Sequence, residues 1–428
     1  MMAKINVFVF AAHHLAGNIA AQRFKGLLKY LDPAKYRIFV FAREPAAGVS
    51  ASASTATSTA DITVFPLPGH CVGSESSTAA SLLTMASAFL RPLPFLLSGS
   101  AERGQPWLVN ALAAADRLCV EKRDAGERCV AIGTYSPIDS LVAAASLASR
   151  HRIGCLQDFR DGLVFEPLGK PGSLRTWVRS LVEGRVVAAA DLITSVSPPL
   201  VADFQRRYPG KAAAILPNGY DPADFVAADK PIDDDTRVAA MLARHVPAGA
   251  RLIGHFGRIG ASDGSASKSL DFFVDALNES PAVVAGNHVM FVGELTAAER
   301  ATLERARFSV SAPGAVERTL ALQLMQRCDK LLLLTGSRAS CATGKLFEYL
   351  AAGADIVCVS GVRNAATAIL AETGAGCSVL TSAGASAGEA LRSALSPRPA
   401  DTHRDISPYS KQSQAGMLDR WISDMVHS

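Results

Sequence analysis

The chain has 428 residues, a formal net charge of +4, and 49% hydrophobic against 19% charged residues. That length exceeds one ordinary core and sets an expectation of two α/β domains of roughly 200 residues each. The small charge, with no dense Lys/Arg tract interleaved with aromatics, argues against a nucleic-acid partner. The eight cysteines fall at no metal-ligand spacing, and several lie inside predicted strands. They read as small buried hydrophobes of a reducing, cytoplasmic compartment, not as a disulfide frame or a metal site.

The apolar run at 5–11 (INVFVFA) flows directly into a helical pattern, so it reads as a buried first strand and not a signal peptide. Gly17 and Asn18 open a helix carrying Ile19, Phe24, Leu27, Leu28 and Leu31 on one side. Strands follow at 36–42 and 62–67, with an Ala/Ser/Thr-rich loop at 46–60 between them. Residues 78–118 look helical but irregular. Within them, 81–98 is the most membrane-like stretch, yet Arg91, Pro92 and Pro94 interrupt it and argue against a spanning helix. It reads either as a helical insertion packed on its own domain or as a surface that touches a membrane. Strand 129–135, helix 137–150 and strand 153–159 come next. A helix at 173–190 puts Leu174, Trp177, Val178, Leu181 and Val182 on its expected buried stripe. Strand 192–197, helix 198–207 and strand 213–219 complete the half. Residues 222–249 are Asp/Pro/Ala-rich with weak periodicity and read as an interdomain linker.

The alternation restarts with strand 251–259 and helix 268–278. Strand–helix pairs follow at 288–295 and 297–306, 308–313 and 315–327, 330–336 and 344–352, and 355–361 and 363–372. The strand GCSVL and helices near 385–395 and 413–426 end the chain. Continuous apolar strands joined by helices imply parallel sheets covered on both faces. The predicted fold class is α/β, two doubly wound, Rossmann-like domains facing across a cleft. Such sheets take ligands at the carboxyl ends of their strands, where the strand order reverses.

The segment 343–353, TGKLFEYLAAG, carries the most chemistry. A strand of four leucines leads through a polar loop to a helix opening at Gly344. A helix N-terminus is a ready anion site, Gly344 admits a phosphate close to the backbone, and Glu348 one turn on can accept hydrogen bonds from a ribose diol. An ordinary capped helix with one solvated Glu is the competing reading. On the first half, His13, His14, Gly17 and Asn18 follow strand one directly. Asp158, Arg160 and Asp161 end a later strand, with Tyr135 and Ser136 ending the one between. The histidines can bond a sugar hydroxyl or move a proton. Arg160 and Asp161 can equally be a structural ion pair. No G-x-x-x-x-G-K-[ST], G-x-G-x-x-G after strand one, G-x-S-x-G or H-E-x-x-H appears, and no D-x-D at a strand end suggests a metal-held diphosphate.

TGKLFEYLAAG resembles the nucleotide-binding helix of the retaining, nucleotide-sugar-dependent glycosyltransferases of B-type fold, in particular the lipopolysaccharide, capsule and exopolysaccharide transferases. The resemblance extends in order over most of the chain: Asp158-Phe159-Arg160-Asp161, the segment 189–225 with its Asn-Gly-Tyr-Asp turn, and LIGHFGRI followed by Ser267-Lys268-Ser269-Leu270. It implies a first lobe at 1–221 that binds the acceptor, with a C-terminal helix at about 409–428 packing back on it, and a donor lobe at 250–408. It assigns Asp158, Arg160 and Asp161 to catalysis, to which His13 and His14 are added by their place after strand one. It assigns Arg258, Lys268, Gly344, Lys345, Leu346 and Glu348 to the donor; by position alone Gly17 joins them, approaching acceptor or donor phosphates, and so does Glu317, which can equally be an exposed helix-start residue. The reaction it implies moves a sugar from a nucleoside-diphosphate sugar, a substrate and not a cofactor, to a hydroxyl of a saccharide or lipid-linked acceptor with retention and without a metal. The implied setting is surface-polysaccharide synthesis in the cytoplasm, with peripheral contact to the inner membrane. Many members carry a further Glu eight positions before the ribose Glu, where this chain has Ser340, so their donor preference does not carry over. Three alternatives stay open: an epimerase or phosphorylase on the same fold, a non-catalytic subunit of a transferase complex, and an inverting enzyme using Asp158 or Asp161 as base.

Overall fold

The computed structural model describes residues 4–16, 19–45, 61–69, 71, 106–167, 173–226, 234–260, 265–396 and 404–427. The chain divides into two compact units, Met1–Pro217 with Lys411–Ser428, and Asn218–Ser410.

The first unit is built on β1 (Ile5–Phe10), β2 (Tyr36–Arg43), β3 (Asp61–Leu67), β4 (Cys129–Tyr135), β5 (Gly154–Phe159), β6 (Leu192–Ser195) and β7 (Ala212–Ile215). They form one parallel sheet in the order β3-β2-β1-β4-β5-β6-β7. Helices cover both faces, which is why every position of β1 but Asn6 is apolar. Phe8 and Phe10 enter one core with Trp107 and Leu141, while Val7 and Val9 enter the other with Leu28 and Leu418. Alternate side chains of a strand face opposite ways, so a sheet buried on both sides has no polar face to offer.

The second unit repeats the plan with β8 (Arg251–Phe256), β9 (Asn287–Val292), β10 (Val310–Gly314), β11 (Lys330–Leu334), β12 (Asp355–Ser360) and β13 (Gly376–Leu380). Their order is β10-β9-β8-β11-β12-β13, again parallel. Leu331 and Leu333 point into one core, and Leu332 and Leu334 into the other. The strand order reverses between β1 and β4 in the first unit and between β8 and β11 in the second. At each point, within its own sheet, the loops leaving the carboxyl ends of the two strands diverge and leave room for a ligand.

The C-terminal helix Lys411–His427 belongs to the first unit. Leu418 and Ile422 are fully buried in the core of β1 and β2, each contributing roughly 1.5–3 kcal/mol by removal from water. Asp419 fixes the register by accepting from Lys35 Nζ at 2.8 Å and from the Tyr36 hydroxyl at 2.6 Å. Of the eight cysteines all are free thiols, seven of them buried. Among the described residues no helix is long and apolar enough to cross a membrane, and no group of His, Cys, Asp or Glu is placed to hold a metal.

Three expectations need correction. Residues 222–249 are not a bare linker: Pro222–Val226 and Asp234–His245 are helices of the second unit, with Phe225 and Val238 in its core. Sparse, well-placed apolar residues suffice there, and composition averages them away. In the helix Ser173–Ala188, Trp177 and Leu181 are exposed by 59% and 52%. The buried arc runs instead through Val182, Glu183, Val186 and Val187. It tolerates Glu183 because Arg207 and the Tyr208 hydroxyl satisfy that carboxylate. The last strand of the first unit also stops at Ile215, short of the Asn218-Gly219 turn. The low-complexity loop 46–60 and the apolar stretch 81–98 lie outside the described residues.

Candidate functional site

At the switch point of the second sheet, β8 is followed by Gly257, whose φ of +79° only glycine adopts without strain. The loop after β9 meets it through Gly293, where a Cβ would lie 2.8 Å from the Gly257 carbonyl oxygen. On the other side, β11 leads through a polar segment to the helix Gly344–Ala352. Thr343 is its N-cap in an extended conformation and gives no side-chain cap. The Thr343 hydroxyl is buried without a hydrogen-bond partner. The amide N–H groups of the first turn, the positive end of the helix dipole, therefore have no side-chain acceptor.

Lys345, on that first turn, crosses the switch point. Its ammonium donates to the Arg258 carbonyl oxygen at 2.5 Å and lies 3.5 Å from His255 Nε2. His255 is wholly buried, with Nδ1 2.9 Å from the Leu332 carbonyl oxygen. A carbonyl only accepts, so Nδ1 carries the proton and Nε2 turns its lone pair to Lys345. Burial, then the charge of Lys345, pushes the His255 imidazole well below its usual range. Burial also lowers Lys345 to about 8, against the pull of Glu348, Cys341 and Glu299. The ammonium has no salt-bridge partner among the described residues, so its charge remains available to an incoming anion.

Glu348 lies three residues further along, on the same helix face. It is half-buried and bonded to Arg318 Nη1, whose Nη2 reaches Asp224 Oδ2 at 2.7 Å. Gly344, Lys345 and Glu348 are thus brought together with the main chain of Gly257 and Arg258. Leu346 is in the core and shapes the helix without reaching the site. The Arg258 side chain turns outward to Glu294 at 3.1 Å. Lys268 is exposed on the outer face of the helix Ser265–Asn278, whose inner face is Ala266, Ser269, Leu270 and Phe273. Glu317 caps the next helix, Arg318–Gln326, and pairs on the surface with Arg237 at 3.6 Å. Its neighbour Arg318, which the sequence reading missed, is the one that contacts Glu348. Glu299 was missed too. Its carboxylate accepts from Thr296 N and Gly260 N and so holds the loop after β8. The Thr296-x-x-Glu299 capping box was the signal that could have found it.

In the first unit, a narrow concavity lies at the switch point between β1 and β4. It is lined by Ala11, His13, His14, Ala21, Phe24, Thr134, Tyr135, Ser136 and Arg160. His14 is buried, its Nδ1 has no hydrogen-bond partner, and burial lowers its pKa to about 4. Arg160 Nε donates to the Tyr135 carbonyl oxygen at 3.1 Å. Gly17 lies outside the described residues.

Asp158 is not a reactive group. It is fully buried and accepts four hydrogen bonds: from Arg23 at 2.7 and 3.1 Å, and from the Thr134 and Thr194 hydroxyls at 2.9 Å each. Arg23 in turn donates to the carbonyl oxygens of Leu216 and Pro217. Asp158 has no lone pair left for a substrate proton, and it serves to tie three strands and the end of β7 together. This removes Asp158 as the base of an inverting mechanism; Asp161, partly exposed beside it, is absent from the lining of the concavity.

No protein-family model and no curated protein matches this sequence. Solved structures do match over nearly the whole chain. A glycosyltransferase from Rickettsia africae superposes with a TM-score of 0.58 at 11% identity, covering 99% of this chain and 98% of that one. A UDP-forming α,α-trehalose-phosphate synthase from Burkholderia xenovorans, solved with glucose-6-phosphate, gives 0.58 at 13% identity, covering 98% and 100%. An Escherichia coli trehalose-6-phosphate protein bound with UDP-2-fluoro glucose gives 0.57 at 14%, covering 98% and 96%. At such identities the likeness speaks to architecture, and it establishes that this chain has the two-domain, Rossmann-like fold of the B-type glycosyltransferases.

Proposed function

We propose that the chain is a glycosyltransferase that moves a sugar from a nucleoside-diphosphate sugar to a hydroxyl of a saccharide or lipid-linked acceptor, with retention. The observation that carries this reading is the grouping of an uncapped helix N-terminus, the Lys345 ammonium and the Glu348 carboxylate on one helix at the switch point of the second sheet. The helix end and Lys345 receive the diphosphate. Glu348 exchanges Arg318 for the ribose hydroxyls. Cleaving the sugar–phosphate bond builds negative charge on the leaving diphosphate, and donors fixed in place before reaction lower that barrier. The concavity of the first unit has no carboxylate in its described lining. This supports a mechanism in which the leaving diphosphate itself accepts the acceptor proton. Solved proteins of the same fold, bound with UDP-2-fluoro glucose and with glucose-6-phosphate, support a nucleotide-sugar donor and a sugar acceptor. The resemblance of TGKLFEYLAAG to surface-polysaccharide transferases supports a cell-envelope pathway at the cytoplasmic face of the inner membrane.

The test is thermal-shift titration of the purified chain with UDP, GDP, ADP, CMP and TDP, with Glu348→Ala as control. A ligand that binds only the folded state raises the melting temperature by mass action. Stabilisation by one nucleotide, lost in the control, supports the donor site and names the base. No stabilisation by any of them overturns it.

A further inference from the structure

The concavity of the first unit is lined by the Arg160 guanidinium and, among the described residues, by no carboxylate. Among the described residues, Arg160 donates to a main-chain carbonyl and no carboxylate forms a salt bridge with its guanidinium. Asp161 and Asp158 act on it only at longer range, and Asp158 is already neutralised by Arg23. Lys25, from the helix that supplies Ala21 and Phe24, lies within electrostatic reach of His14. It is half-buried, and burial alone lowers its pKa, with no carboxylate acting on it. His14 is held neutral by burial and then by the charge of Lys25, with Nδ1 buried and unpartnered among the described residues. Ser136 adds a hydroxyl at the rim. Two partly desolvated cations with no carboxylate partner among the described residues raise the folded-state energy. An oxyanion seated between them would relieve that cost, and a guanidinium with its η nitrogens unengaged is well shaped for one.

Resting on the transferase reading above, we propose that this concavity binds an anionic group of the acceptor, the phosphate or carboxylate of an acidic sugar, through Arg160 and Lys25 with His14 bonding a neighbouring hydroxyl. The acceptor class is thereby narrowed from sugars in general to sugar phosphates and uronic acids. The donor's own diphosphate is the competing source of the same chemistry, and the experiment separates the two.

The experiment is calorimetric titration of the full chain with inorganic phosphate, glucose 6-phosphate, glucuronate, glucose and UDP, repeated in Arg160→Gln and Lys25→Gln. Circular dichroism and melting temperature confirm that each variant is folded. The expected result is that glucose 6-phosphate or glucuronate binds at least tenfold more tightly than glucose. That preference falls at least fivefold in either variant, while UDP affinity stays within twofold. Equal binding of charged and uncharged sugars overturns the proposal. Loss of UDP affinity in Arg160→Gln with the acid preference intact assigns the concavity to the donor and also overturns it. If Arg160→Gln fails to fold, Lys25→Gln decides alone. Failure of the donor reading itself shows separately, as absence of UDP binding in the unmodified chain.

Discussion

The Lys345 ammonium lies 2.5 Å from the Arg258 carbonyl oxygen, a bond that joins the helix after β11 to the loop after β8 across the strand-order reversal. It places a cation in the gap where two carboxyl-terminal strand ends diverge. Because the partner is a neutral carbonyl, the positive charge is held in position without being cancelled.

The pH response of nucleotide binding follows. Lys345 releases its proton at about 8 in the folded chain, against 10.5 ordinarily. Between those values the unfolded chain binds the extra proton, so the contribution of this group to stability rises as pH increases across that window. Nucleotide binding moves the other way. Diphosphate affinity declines above about pH 8, with a slope approaching tenfold per unit. Titration of UDP from pH 6.5 to 9.5 measures it. Lys345→Met should give weaker and pH-independent binding, and an unchanged slope in that variant would show that another group titrates.

Glu348→Gln separates binding from stability. The Glu348–Arg318–Asp224 chain is partly exposed, with side-chain exposures of 21%, 40% and 35%, and such pairs contribute about 0–1 kcal/mol. Denaturation of the variant should be shifted by less than that. Nucleoside-diphosphate affinity should fall tenfold or more, about 1.4 kcal/mol. A variant that binds nucleotide normally removes Glu348 from the site.

Asp158→Asn should behave as a folding mutation. It leaves the Arg23 guanidinium buried with half its ion pair gone, at a cost of about 3–5 kcal/mol. Urea denaturation reads the loss directly. Normal stability with abolished turnover would restore a chemical role to Asp158.

Leu418→Ala tests the ownership of the C-terminal helix. The side chain is fully buried against β1 and β2, and its truncation should cost about 2–5 kcal/mol. In hydrogen exchange the loss of protection should fall on β1 and β2, while β8 and β11 keep theirs.

The doubly wound plan was legible because β1, β4 and β11 are apolar at nearly every position, a pattern only a sheet covered on both faces requires. The helix start near Gly344 and the place of Glu348 one turn on were legible from local pattern, a strand of leucines followed by a polar loop and a helical run; that Lys345 shares a face with Glu348 was not drawn from it. What failed was whatever depended on partners distant in sequence. Asp158 and Arg23 are 135 residues apart, so nothing near either shows that they neutralise each other. Trp177 looks buried until Glu183 is seen to be satisfied by Arg207 and Tyr208. Lys268 keeps the right spacing from Arg258, yet it lies on the exposed face of the helix Ser265–Asn278, whose buried positions are set by packing on a distant sheet.

The helix Lys411–His427 has a consequence for the life of the chain before it acts. The second unit is one continuous stretch whose ends meet, Tyr220 N donating to the Tyr409 carbonyl oxygen at 3.0 Å, so it can close as soon as it leaves the ribosome. The first unit is synthesised first but lacks part of the cover of its first two strands until residues 411–427 emerge. Order of synthesis and order of completion are therefore reversed. Throughout translation of the middle of the chain, the part of the apolar face of β1 and β2 that Leu418 and Ile422 cover lacks that cover.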